Sequence, residues 1–470
     1  MHAPPSPVTT PAKRSADDWV SLLDTARTAA HHYLRNLDSG TITPASEDLA
    51  ALEHLVESLP ESGTSAVGVL EQLISIGSAN TVLSSGPNYY GFVTGGSLPI
   101  ALAARWLSDT WDQNAALEVM SPISARLESI VQDWLVKLFG LPRETVMGLV
   151  SGSSVASLCA LAAARQHIYQ SVGWPIEKAG LQSAPLIEIY GPDSLHGSIE
   201  KALRLLGFGL DQMHWLPTDA QGRLRAETLP PLNPTSILVL QAGQVCTGAF
   251  DDFLQLIPLA RAQGAWVHID GAFGLWAAAS DHQQELTGGI DLADSWVVDA
   301  HKTLNVPYDS GLVFCRHASA LETALSASGS YLEAGSHRDG MAYTPEMSRR
   351  ARAIELWATI KTLGRVGIGE MIDQFCDLAD LLKTQLQSGP YTLVGNCGFN
   401  QVLVCLATDD ATQEALSKLQ ASGEIWVSGA QWQGRSTIRI SICNWRTEPR
   451  HILKLAEVMR ATADEINHKL

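Results

Sequence analysis

The chain has 470 residues, 46% hydrophobic and 17% charged, with a mean hydropathy of +0.04: an ordinary globular composition, long enough for two domains or one large domain with appendages. A formal net charge of −17 argues against nucleic acid or an anionic membrane as the main partner. Seven cysteines without a CxxC pair read as the reduced thiols of a cytoplasmic protein, and no apolar run approaches the ~18 residues of a membrane span.

The opening MHAPPSPVTTPAKR is Pro-rich and polar with no apolar core, so it is not a secretory signal; residues 1–15 are expected to be a disordered arm. Over 17–37 apolar residues recur at helical spacing (Trp19, Leu22, Leu23, Ala26, Ala29, Ala30, Tyr33, Leu34). A second helix is expected over 49–59, capped by 44–47 and ended by Pro60. Such stripes must pack on a body or on a partner chain. GPNYYGFVTGGS (86–97) reads as a loop, followed by helices over 99–107 and 122–139.

GLVSGSSVASLCALAAAR (148–165) is a short strand, a turn of small residues and an alanine-rich helix. After it, apolar runs alternate with helical spans: strands at 186–190, 237–240, 266–269, 296–298 and 311–314, and helices near 198–206 and 254–262. That alternation predicts an α/β fold with a mostly parallel sheet flanked by helices. YLEAGSHRDGMAY (331–343) has no period and reads as a mobile loop. A helix over 345–363 carries Arg349, Arg350 and Arg352 near its start. Beyond it come a helix at 366–387, strands at 402–407, around 425–427 and 437–442, a helix at 411–421 and a last one after Pro449: a smaller α+β domain.

Two apolar runs end in ionisable groups. WVHIDGAFG (266–274) stops at Asp270, and DSWVVDAHKTLNVPYDSG (294–311) reaches His301-Lys302. Both sit where a buried strand should end, which in open α/β sheets is where ligands bind. Asp270 alone reads as a cap, and Lys302 alone as a surface lysine. Together they suit pyridoxal 5'-phosphate (PLP), which needs a Schiff-base lysine and an acidic partner for its pyridinium nitrogen. Desolvation there is expected to lower the lysine's pKa. SGSSVAS (151–157) places backbone amides and hydroxyls where a helix N-terminus receives phosphate, although Ser/Gly turns are also ordinary N-caps.

With His268, Asp270, Ala272 and Phe273, then Asp294, Ser295, His301 and Lys302, the chain resembles the fold-type I, group II PLP-dependent decarboxylases. This is the family of aromatic amino acid and glutamate decarboxylases, whose H-x-D-x-A-[YF] precedes a D-S-x-x-x-x-x-H-K segment. The resemblance covers about residues 20–460 and implies an aspartate-aminotransferase-like fold. It also implies a homodimer and the following division: N-terminal helical dimerisation segment 16–95, PLP-binding domain 96–345, small domain 346–470.

The resemblance implies phosphate binding by Ser153 and Ser154, stacking of His196 on the pyridine ring opposite Ala272, and a Schiff base on Lys302 beside His301. It assigns the substrate carboxylate to Thr94 and Arg439; on its own Arg439 reads equally as a solvated strand arginine. Three departures stand out. Gln244 and Val245 replace paired threonines, Asp299 replaces a frequent asparagine, and Gly340 stands where the family's loop tyrosine precedes the basic doublet. That tyrosine protonates Cα, so Tyr343, or Tyr331, is the candidate acid here. The implied reaction is decarboxylation of a small-molecule L-amino acid, with no metal. The alternatives are diversion of the same chemistry to an aldehyde, other Cα-bond lyase chemistry, or a PLP-fold protein without catalysis.

Overall fold

A computed structural model describes residues 16–327, 338–396 and 398–468. The expected arm 1–15 and most of the loop 331–343, with Tyr331, lie outside these. The chain divides into two units between Leu83 and Ser84.

The first unit holds α1 (Ala16–Arg35), α2 (Ser46–Ala51) and α3 (Ala66–Gln72). The helix expected over 49–59 is shorter and earlier: after Ala51 the chain tightens into a 3₁₀ turn, Leu52–Leu55. Neither stretch buries a residue, and without packing a short helix in water is marginal. Leu37, Ile42 and Leu83 are this unit's buried apolar residues among those described, while Val20, Leu23, Val56, Leu59, Val69 and Leu73 are at least half exposed.

The second unit is built on a seven-stranded sheet. Its strands are β1 (Val146–Val150), β2 (Glu188–Pro192), β3 (Met213–Leu216), β4 (Ser236–Gln241), β5 (Trp266–Asp270), β6 (Ser295–Asp299) and β7 (Gly311–Cys315). The order is β1-β7-β6-β5-β4-β2-β3. β7 is antiparallel to both neighbours and the remaining pairs are parallel, so β1 runs the same way as β6. Every residue of β4 to β7 is buried, the reason these strands are continuous apolar runs rather than alternating ones.

The helices of this unit are α4 (Pro99–Trp111), α5 (Pro122–Leu138), α6 (Ser153–Ser171), α7 (Ile176–Ala179), α8 (Gly197–Leu205), α9 (Phe253–Arg261), α10 (Ala318–Leu325), α11 (Ala353–Leu386), α12 (Asp409–Ala421) and α13 (Pro449–Asn467). Alanine-rich α6 packs on β6 and β7 and is flanked by α8 and α10. Its small side chains are buried on nearly every side, which fixes the helix N-terminus firmly at the sheet edge.

The two helices expected at 345–363 and 366–387 form one run, α11, broken at Gly364 (φ 64°). Its start is later than expected. Arg349 and Arg350 lie before the helix because their backbone is taken up by an antiparallel bridge to 114–115. A second, antiparallel sheet has the order β10-β11-β9-β8, with β8 (Thr392–Leu393), β9 (Gln401–Cys405), β10 (Ser428–Trp432) and β11 (Arg435–Ser441). Gln433 and Gly434 both have positive φ (49° and 78°) in its two-residue hairpin turn. The strand expected around 425–427 begins at Ser428 instead. Trp426 pairs with the 86–97 loop: its amide donates to Asn88 O and its carbonyl accepts from the Tyr90 amide.

Candidate active site

The carboxyl ends of β1, β5 and β6 lie at one edge of the large sheet, which places the start of α6, Asp270 and Asp299 together. This is the edge at which open α/β sheets bind ligands. Within β5, His268 and Asp270 share a face because side chains alternate. Asp270 is 7% exposed, and one oxygen accepts the Ala272 amide at 3.2 Å. Burial pushes its carboxyl up from the ordinary value, while His196 and Lys302 pull it back.

His196 caps α8: Nδ1 accepts the Ser198 amide at 3.2 Å and lies 2.8 Å from the Ser198 hydroxyl. That leaves Nε2 to carry the proton of the neutral ring, and burial lowers its pKa. His301 accepts the Ser310 amide on Nδ1 (3.1 Å), with Nε2 3.6 Å from Asp299; burial lowers this ring as well.

Lys302 corrects the expectation of a depressed amine. Burial does push its pKa down, but the Asp299 carboxylate at 3.0 Å, helped by Asp270, outweighs it and the net shift is upward. Lys302 is therefore an ammonium held by Asp299, and it must lose a proton before it attacks a carbonyl.

Asp299 also reaches α6. One oxygen accepts the Ser153 amide at 2.6 Å and the other the Ser153 hydroxyl at 2.8 Å. Ser154, next on the helix, is exposed, whereas Ser157 is buried and its hydroxyl has no partner among the described residues. Gln244 does not face a ligand; its side-chain oxygen accepts the amides of Cys246 (2.6 Å) and Thr247 (3.0 Å), shaping its own turn.

Thr94 and Arg439 also come to this edge. A Cβ on Gly95 would collide with the Lys302 carbonyl, so the strap 92–97 lies directly on the lysine turn. The Thr94 side chain pairs with the Tyr308 hydroxyl. Arg439, on β11, is buried with Nε unpartnered among the described residues, and its charge acts on both Cys246 and His196.

Tyr343 does not join the group. Its hydroxyl donates to Glu322 at 2.7 Å, and the Arg338 guanidinium lies 4.0 Å above its ring. Gly340, in the register of the family tyrosine, has no room for a larger residue, since a Cβ there would run into the Arg349 guanidinium and the Ala115 carbonyl.

Sequence reading missed two residues. Asn305 (φ 55°) ties the strap to the lysine turn: Oδ1 accepts the amides of Gly96 (2.7 Å) and Trp445 (3.1 Å), and Nδ2 donates to Thr303 O (2.9 Å) and Cys443 O (2.8 Å). Tyr308 lies tilted over His301, with ring centroids 4.4 Å apart and planes 31° apart. Burial raises its phenol, while Thr94 and Lys302 work to lower it. Asp309 beside it is held by Arg350 and by Arg352 Nε at 2.9 Å, which gives the basic cluster before α11 its local purpose. The only signal in the sequence was NVPYDSG (305–311), an aperiodic tract that begins three residues after the lysine.

A buried carboxyl short of a full cation, a lysine three residues past the neighbouring strand end, a half-exposed histidine above them and a helix N-terminus within the same cluster accommodate PLP. The fold and site thus define a PLP-dependent enzyme. A sequence profile described as "Pyridoxal-dependent decarboxylase conserved domain" matches residues 52–407, and the chain belongs to that family as a PLP-dependent carboxy-lyase. It is 25% identical to the aromatic-L-amino-acid decarboxylase of Bacillus atrophaeus over 458 residues, 93% of each chain. It is likewise 25% identical to the 4-hydroxyphenylacetaldehyde synthase of Rhodiola rosea over 407 residues, 81% of each. Among solved structures, Oryza sativa TDC with PLP and tryptamine superposes with a TM-score of 0.89 at 21% identity, over 97% of this chain and 100% of that one. The fold is the aspartate-aminotransferase-like one expected.

Proposed function

We propose that the enzyme removes the α-carboxylate of an aromatic L-amino acid and returns a proton to Cα, yielding the amine and CO2. The reading is carried by Lys302, Asp270 and His196 at one sheet edge. PLP, when bound, supplies the electron sink for the pair released from the Cα–carboxylate bond. Lys302 would hold the cofactor covalently until the substrate amine arrives, Asp270 would keep the ring nitrogen protonated, and His196 would cover the ring. Thr94 and Arg439 orient the substrate carboxylate. Tyr308, beside Lys302 and Thr94, is the phenol that returns the proton.

Tyr89, Phe92 and Trp426 support an aromatic substrate. The rings of Tyr89 and Phe92, in the 86–97 loop that carries Thr94, lie with centroids 5.0 and 5.1 Å from that of Trp426, and Phe92 is 62% exposed. The test is incubation of holoenzyme with a panel of L-amino acids, products read by mass spectrometry; amine and CO2 from aromatic substrates are expected.

A second reading, oxidation by dissolved dioxygen to the aldehyde with CO2, ammonia and peroxide, is favoured by the packing at Gly340. Gly340 and its packing exclude a tyrosine at the family position, and several relatives are aldehyde synthases. Peroxide in that incubation, stoichiometric with aldehyde, selects it.

We propose also that the enzyme is a homodimer in which the leading helices cover one another across a two-fold axis. The exposed apolar side chains of α1, α3 and the 52–59 stretch are a larger apolar surface than a short solvated segment sustains. Light scattering on the full chain should give twice the monomer mass, and deletion of residues 1–60 should abolish solubility or activity. A soluble, active monomer would overturn the assignment.

A further inference from the structure

Asp299 ends β6 and is 1% exposed. A carboxylate so deep needs compensation, and here it comes from three sides. The N-terminus of α6 supplies the Ser153 amide at 2.6 Å, the same residue's hydroxyl lies at 2.8 Å, and the Lys302 ammonium lies at 3.0 Å. His301 stands 3.6 Å away, Trp276 donates its indole N–H to the Asp299 carbonyl at 3.0 Å, and the charges of Asp270, His196 and the Tyr308 phenol face the same space.

Two of these three compensating groups are ones the cofactor needs. An anion-binding helix N-terminus acts through its free amides and dipole, and the first of those amides is already spent on a carboxylate. The cofactor's aldehyde must also reach the nitrogen that Asp299 holds as an ammonium. An asparagine in this place would accept the same amide, carry no charge, and present an N–H to an incoming phosphate oxygen.

We propose that Asp299 is a positioning residue that sets how tightly this enzyme holds its cofactor. It is a resident anion that shares the α6 N-terminus with the phosphate of PLP and tethers Lys302. The phosphate is then held beside a like charge, so cofactor retention is deliberately weak at that end and rests more on the ring contacts of Asp270 and His196. This depends on the cofactor assignment and not on whether the product is amine or aldehyde.

The test compares wild type, Asp299→Asn and Asp299→Ser holoenzymes. Three quantities are measured: the rate of PLP loss on dilution, the affinity for inorganic phosphate after cofactor removal, and reloading with PLP or with pyridoxal, which lacks the phosphate. Asp299→Asn should retain PLP and bind inorganic phosphate on the order of tenfold more tightly, by removal of one nearby like charge. That gain should shrink as salt is raised, and pyridoxal, which shares the Lys302 tether but has no phosphate, should gain clearly less than PLP. A merely structural cap predicts the reverse, with PLP lost faster from Asp299→Ser and no change in phosphate affinity. Equal or faster PLP loss from Asp299→Asn with an unshifted melting temperature overturns the proposal, as does an equal gain for pyridoxal. Failure of wild type and variants alike to take up PLP would overturn the cofactor assignment instead. Asp299→Ser keeps the test open should Asp299→Asn fold poorly, since a small hydroxyl also accepts the Ser153 amide.

Discussion

Asp270 and Asp299 end adjacent parallel strands, and both are nearly inaccessible, yet the protein treats the two carboxylates differently. Asp270 accepts one long backbone bond and makes no ion pair among the described residues, and burial holds its carboxyl above the ordinary range. Asp299 is bound by a helix N-terminus, a hydroxyl and an ammonium. A buried carboxylate without a close cation is a site prepared for one, here a protonated ring nitrogen. A carboxylate already satisfied is a structural anion that a second anion must live beside.

Lys302→Ala takes away a cation that acts on both, and it should be the most damaging change. The covalent link to the cofactor disappears, turnover falls by several orders of magnitude, and Asp299 is left buried without its ammonium, a loss of about 3–5 kcal/mol for a broken buried pair. The visible absorbance of the holoenzyme and its urea midpoint read the two effects separately; parent-level turnover would sink the assignment. Asp270→Asn sharpens the contrast at the ring end. It should keep the fold and some cofactor but lose about 10²–10³ in kcat, the opposite of the tighter retention expected of Asp299→Asn. Equal behaviour of the two variants would erase the distinction between the strand ends.

Tyr308→Phe probes the groups above these ends and should cost about 10² in amine formation with aldehyde rising in the product mixture. An unchanged ratio would remove Tyr308 as the acid. Behind the two strand ends, His268 on β5 lies 2.9 Å from the Ser295 hydroxyl on β6, and burial holds its pKa down to about 3. The folded state therefore excludes a proton that the unfolded chain takes up below about pH 6.5. Stability is complete above that pH and falls as pH drops toward 3, by about 2 kcal/mol at pH 5.

Asp251, raised to about 7 by burial, runs the other way, since its folded form binds the proton and loses stability as pH climbs from about 4 to 7. The diagnostic is thus the gap in unfolding free energy between wild type and His268→Asn, in which the Asp251 contribution cancels; it should be about 2 kcal/mol smaller at pH 5 than at pH 7. Tyr343→Phe should have the smallest effect: loss of its bond to Glu322 costs about 1 kcal/mol in stability with the product ratio intact. A shift toward aldehyde in that variant would restore it as the acid.

The amino-acid sequence determined the strands and helices that build the site, because a fully buried parallel strand must be apolar throughout and must end where a charge first appears. That logic located Asp270 and His301-Lys302 without coordinates, and the small-residue turn at 151–157 located the start of α6. It also marked Gly340 as a departure. Only the tertiary structure decided what these groups do to one another. The sign of the Lys302 shift depends on Asp299, placed by a strand end and a turn. The roles of Asn305 and Tyr308 come from a strap more than two hundred residues earlier in the chain. Tyr343 is held away by Glu322 and Arg338. Periodicity reports which face of an element is buried; it carries no record of which element lies opposite, and the charge balance of this site is set almost wholly by those opposing elements.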